Sequence, residues 1–258
     1  MTAAALPGDF PRVPREGRVF PGFAFMGWRW ISRNPAAAIA PVLVPFIFLY
    51  FLRLVSPASY FPAEVVGAML FTTQNIGNWV LGDSATWRIE NAIQDMFIAS
   101  PLGKFRYLLG IAVSNLIPAV PALAVMAGLL VWVTPGGIPW VGWLALLGSI
   151  LVLWVVASAI GIMMSSRIQS RREVWPVGNL TFTTLGMLSP LYYPLSVLPP
   201  AWQVAALFFP STYAALLARG AMGLGSGGPF PLPWDGVLLG VLAVIGTVVA
   251  LHYYRWGE

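Results

Sequence analysis

The chain has 258 residues, 58% of them hydrophobic and 9% charged, with a mean hydropathy of +0.78. A soluble chain holds about a quarter charged residues, so the composition predicts an all-α polytopic membrane protein. With no cysteine, disulfides and thiolate metal sites are excluded; with one histidine, His252, most hydrolase chemistry lacks its usual parts and no metal site is expected.

Residues 1–19 are rich in proline and arginine and lack the apolar central run of a cleavable signal. They are expected to form a flexible cytoplasmic tail. Residues 20–33 are aromatic and basic but too short to span, which predicts an interfacial helix along the inner leaflet. A distorted start to the first span is the alternative, and Asn34-Pro35 favours a break there. Six spans are predicted at about 36–54, 61–81, 107–133, 140–164, 174–191 and 235–254. Pro41 and Pro45 are expected to kink the first, and Pro118 and Pro121 the third, since neighbouring helices can satisfy the freed carbonyls.

Basic residues set the orientation. An even number of spans puts both termini on one side, and that side then carries every Lys and Arg except Arg53 and Arg219. Such a split predicts cytoplasmic termini. It also accounts for the net charge of +5 by topology, so no nucleic-acid partner is expected.

Between the second and third spans, Ser84 is predicted to cap a helix over 84–99 that Ser100-Pro101 stops. Ile89, Ile93, Met96 and Phe97 share one apolar face, and Arg88, Glu90, Asn91, Gln94 and Asp95 make the polar remainder. The pattern alone fits either a helix resting on lipid or one docking on a partner.

Leu188–Gln203, with Phe208–Tyr213 behind it, is apolar, yet Pro190, Pro194, Pro199, Pro200 and Pro210 forbid one continuous helix. A span needs about 20 helical residues, and broken backbone at membrane depth survives only against protein or a watery cavity. The region 192–222 is therefore predicted to be a re-entrant hairpin before the last span.

This stretch, with Tyr193, Pro194, Pro199, Pro200, Pro210 and Arg219, resembles the "yPlsvLPpw…PlTya…R" signature of ABC-2 type transporter permeases. The 83–106 loop resembles their acidic docking helix: Glu90 and Asp95 match the acidic positions and Ser100-Pro101 the break, although Ala92-Ile93 replaces the usual Gly-Thr. Residues 20–258 would then form an ABC-2 transmembrane domain whose coupling helix, 84–99, docks on an ATPase through Arg88, Glu90, Ile93, Asp95 and Phe97. The resemblance implies two copies of this chain with two ATP-binding subunits, working in the cytoplasmic (inner) membrane. The chain has no G-x-x-x-x-G-K-[ST] string. It is thus expected to hold no cofactor and to be no enzyme, with Mg-ATP bound by the partner.

In such permeases the first, second and fifth spans meet where the route runs. That makes Asn75, Asn78 and Asn179 candidate pathway residues, with Phe46, Tyr50, Phe71 and Trp79 as aromatic walls. Interhelical hydrogen bonding and ordinary packing are the competing roles. Arg53 and Glu64 are predicted to pair across the outer helix ends as a gate element, beside the re-entrant region. No ionisable residue falls near mid-membrane, which argues against ion-coupled transport. The function expected is export of an amphiphilic drug-like or lipid-like molecule. A polysaccharide or glycolipid exporter is the alternative, and an integral-membrane enzyme or ion-coupled carrier the reading from other classes.

Overall fold

A computed structural model describes residues 19–89, 93–100, 102–225 and 228–254. The tail expected over 1–19 thus lies almost wholly outside the described residues. Among those described, the chain forms helices and no strand. Helix α1 spans Val19–Arg33, and Asn34 caps it by donating from its side chain to the Trp30 carbonyl at 3.0 Å. Helix α2, Pro35–Val55, starts on a proline, whose missing N–H costs nothing in the first turn. Helix α3, Phe61–Ile89, is followed by the short α4, Ile93–Ile98. Helices α5, Lys104–Leu116, and α6, Val120–Val133, are joined by a 3-10 turn at Ile117–Ala119. That turn holds Pro118, one of the two prolines expected to kink this span.

A turn closed by the Gly137 amide on the Thr134 carbonyl, 2.9 Å, leads to α7, Trp140–Ser165. Helix α8 is Arg171–Leu188. The proline-rich stretch forms a 3-10 turn, Leu195–Val197, then α9, Pro200–Ala206, and α10, Pro210–Ala221, bent by 96°. Helix α11, Leu232–Tyr253, closes the described chain.

Among the described residues, three segments are long and apolar enough to cross a bilayer: Lys104–Val133, α7 and α11. Helices α2, α3 and α8 occupy the other expected span positions. The apolar part of α2 is the shorter Val42–Val55, and α3 and α8 carry the polar groups that lower their hydropathy. The core is organised about α3, buried along most of its length. It crosses α7 at Gly77 and Gly161, where a Cβ on Gly161 would overlap the Gly77 carbonyl. Small residues let the two backbones touch, a packing mode suited to a membrane interior.

Several boundaries differ from expectation, α5 and α11 each starting three residues early at Lys104 and Leu232. The second helix does not stop at 81 with a new helix starting at Ser84. It continues to Ile89, and Ser84 is a fully buried residue inside it, 3.0 Å from the Ser165 hydroxyl. Gly82 is no break because it lies under the Trp175 ring, and Asp83 accepts from the Asn115 amide at 2.9 Å. Ser84, read as a cap, instead makes an interhelical contact, as do Asp83 and Arg88. Of the expected helix 84–99, the described residues fall in the end of α3 and in α4, and 90–92 lie outside them. The fifth helix starts earlier than expected, at Arg171, and ends at Leu188 rather than 191.

Candidate functional site

The proline-broken segment poses a definite problem: the carbonyls after α8 have no helix to bond them, and a buried unpaired carbonyl costs about 1–3 kcal/mol. Arg219, in the last turn of α10 and 3% exposed, solves it. Its Nη1 donates to the Pro190 and Tyr193 carbonyls at 3.0 and 3.2 Å, its Nη2 to the Leu191 carbonyl, and its Nε to the Ala63 carbonyl of α3 at 3.2 Å. One planar fork with five donors is suited to several convergent carbonyls. Gly67 of α3 lets the loop close onto the helix, since a Cβ there would overlap the Leu191 carbonyl. Ser189 and Ser211 hydroxyls meet at 2.6 Å, and the Tyr193 hydroxyl donates to the Met187 carbonyl at 2.9 Å. Pro194 precedes the 3-10 turn, Pro199 precedes α9 and Pro200 opens it. Of the five residues expected in the re-entrant region, Arg219 and Tyr193 join in one clasp between α3, the broken loop and α10, and Pro194, Pro199 and Pro200 set the turns that follow it.

Arg53 and Glu64 do not form the expected pair. The exposed Arg53 guanidinium lies 5.7 Å from the centre of the Phe61 ring. Glu64 is 2% exposed, is hydrogen-bonded to Ser56, and feels the charge of Arg219 ahead of that of Arg53. The loop between α2 and α3 supplies the nearer partner, so the carboxylate turns inward toward the clasp.

Deeper along α3, the Asn78 amide donates to Asn179 Oδ1 of α8 at 2.6 Å. Asn75 instead donates to the Phe71 carbonyl of its own helix, 3.0 Å, as Thr72 and Thr73 donate to Ala68 and Met69. Gln74 reaches the Phe182 carbonyl at 3.3 Å. Two of the three asparagines are thus joined, and the third bonds within its own helix. Asn179 is exposed on α8, one turn from the exposed Thr183 and Thr184. Phe46 and Phe71 pack in the core, Phe71 against Gly186 and 5.8 Å from the Tyr192 ring, whereas Tyr50 is 63% exposed. The enclosed space nearby is small, about 30 Å³ beside Gln74, Phe182 and Ser211.

At the opposite end, two basic side chains close two helix C-termini, where free carbonyls and the helix dipole favour a cation. Arg88 donates to the Ser165 carbonyl, 2.7 Å, and to that of Ile168 beyond α7. Lys104 donates to the Leu251 and Tyr254 carbonyls at the end of α11. Phe97 of α4 turns inward, its ring 5.1 Å from Tyr107 and 5.7 Å from Phe23. Ile93 is half-buried, and the outward face presents Asp95 and Met96, the latter 72% exposed. Within the expected docking set, the contacts inside this chain divide the residues. Arg88 and Phe97 hold the fold together, Asp95 remains available, and Glu90 lies outside the described residues. Met96, placed by its spacing on the same apolar face as Phe97, is the large side chain left uncovered.

Sequence reasoning also missed Lys104 as a cap, Tyr192 beneath the broken loop and Asp235, buried at the start of α11. Only Lys104 had a signal, its basic charge at a span end. Among the described residues, no group of three His, Asp or Glu side chains converges as a metal would need. The family model described as ABC-2 type transporter matches residues 23–222 of the chain, which takes in the clasp, the Asn78–Asn179 bridge and α4. No curated protein matches it.

Proposed function

We propose that this chain, which belongs to the ABC-2 type transporter family and is a membrane permease subunit of an ABC transporter, exports an amphiphilic drug-like or lipid-like molecule. Permeases of this family work with ABC ATP-binding subunits and have no ATPase site of their own. In our reading two copies pair in the cytoplasmic membrane with both termini inside, and two partner subunits bind Mg-ATP. The six helical segments α2, α3, α5–α6, α7, α8 and α11 are then the spans, and α1 lies in the interface.

The observation that carries the reading is the continuity of α3. Its 29 residues reach about 44 Å at 1.5 Å per residue, from the Arg219 clasp at one end to the approach to α4 at the other. A push on α4 from a closing ATPase would travel along one helix to the hairpin that closes the outer end. Transport then opens a route beside α3 and α8, where Asn179, Thr183 and Thr184 would face the second copy with Asn78 behind them. The packed positions of Phe46 and Phe71 and the small enclosed space favour an amphiphile in a transient slit over a sugar polymer in a standing aromatic channel. Reconstituting the permease with its ATP-binding subunit and measuring ATP turnover against a panel of amphiphiles and glycans tests this. Stimulation by amphiphiles is expected, and stimulation by glycans alone would overturn the substrate class.

A further inference from the structure

A groove of about 390 Å³ opens at the Arg88 end of the molecule, between the ends of α7 and α11 and the first turns of α8. Its walls change character along its length. Met163, Met164, Val177 and Val249 make an apolar floor, and Arg167 and Tyr253 stand at the rim. The Arg167 guanidinium is 5.8 Å from the centre of the Tyr253 ring, so the aromatic face steadies the cation there. Arg172 at the start of α8 lies at the same level, exposed. Against these, the described residues of the three helix ends carry one acid, Glu173.

We propose that this groove binds an anionic phospholipid, with the phosphate on Arg167 and an acyl chain along the methionine and valine floor. The inference rests on reading α7, α8 and α11 as bilayer spans, which sets the rim at the headgroup level and the floor one to two turns into the hydrocarbon. Three observations select this occupant. The volume falls in the range of small-ligand clefts. The lining is apolar with a single charged rim, as an amphiphile requires. The surplus of cations suits a phosphate, and basic pockets between spans recognise anionic headgroups on this principle. The bound lipid would fill the gap between α8 and the packed pair of α7 and α11.

The test is native mass spectrometry of the purified permease equilibrated in micelles with equimolar phosphatidylglycerol and phosphatidylcholine, alongside thermal denaturation in each lipid alone. The wild-type protein is expected to retain phosphatidylglycerol severalfold over phosphatidylcholine and to melt higher with it. Arg167→Ala should bring the retained ratio to that of the mixture and abolish the difference in melting. Arg53→Ala, at the far end, should change neither, and Arg167→Gln provides a polar substitute if the alanine variant does not fold. Equal retention of both lipids by the wild type would overturn the proposal, as would undiminished preference in both Arg167 variants. A cysteine at Val249, in this cysteine-free chain, that cross-links two copies through the groove would assign it to a second copy instead. None of these results bears on ATP-driven export, which the turnover assay tests separately.

Discussion

Arg219 shows how one side chain can make a non-helical turn tolerable inside a membrane protein. Its four hydrogen bonds go to carbonyls that no helix satisfies or that belong to α3. Lysine has the charge but a single ammonium in place of the planar fork. Arg219→Ala should therefore destabilise the permease by about 3–5 kcal/mol, the cost of breaking a buried charged network, and Arg219→Lys should recover only part of it. Thermal denaturation in detergent checks both, and a wild-type midpoint for the alanine variant would contradict the clasp. Asp235 is the opposite case. Neither of its carboxylate oxygens has a hydrogen-bond partner among the described residues, although the side chain is fully buried. Removing the charge removes a desolvation cost, so Asp235→Asn should melt at or above the wild-type temperature. A fall of several degrees would mean that the carboxylate is needed where it stands.

Among the elements, α4 separates structure from docking. Phe97 is held by Phe23, Trp87 and Tyr107, whereas Met96 faces outward from the same short helix. Phe97→Ala should cost the permease about 3–5 kcal/mol of its own stability. Met96→Ala should leave the melting temperature unchanged and weaken binding of the ATP-binding subunit severalfold, read by titrating the partner onto immobilised permease. Equal affinity with Met96 removed would end the docking role of this face. The same helix shows what could be read in advance. Apolar spacing placed Ile93, Met96 and Phe97 on one face, but could not say which of them the neighbouring aromatics would cover. Ser84 was misread because a polar residue after an apolar run looks like a cap, and only the position of α7 reveals that Ser165 waits for it. Prolines were the more legible signal. Pro200 and Pro210 each open a helix, because a fixed φ and a missing N–H restrict them to few places. That Arg219 belonged beside them was legible only as a motif, since its partners lie 26 to 156 positions away.

On the scale of the whole molecule, topology and energy source remain the two linked claims. The basic residues from which we propose the inner side also serve the fold: Arg88 and Lys104 cap α7 and α11 at one end, while Arg219 works at the other. Single cysteines at Gln169 and Gly136, both exposed, report the sides in this cysteine-free chain. In intact cells an impermeant thiol reagent should label the Gly136 site and spare the Gln169 site; the reverse pattern would invert the molecule. The most direct measurement of the central claim uses sealed inside-out vesicles containing the purified permease, with or without its ATP-binding subunit. Our account predicts that an amphiphile accumulates in the vesicles only when both chains and Mg-ATP are present, and that the permease alone hydrolyses no ATP. Accumulation driven by an ion gradient in vesicles holding the permease alone, or ATP turnover by that single chain, would contradict it.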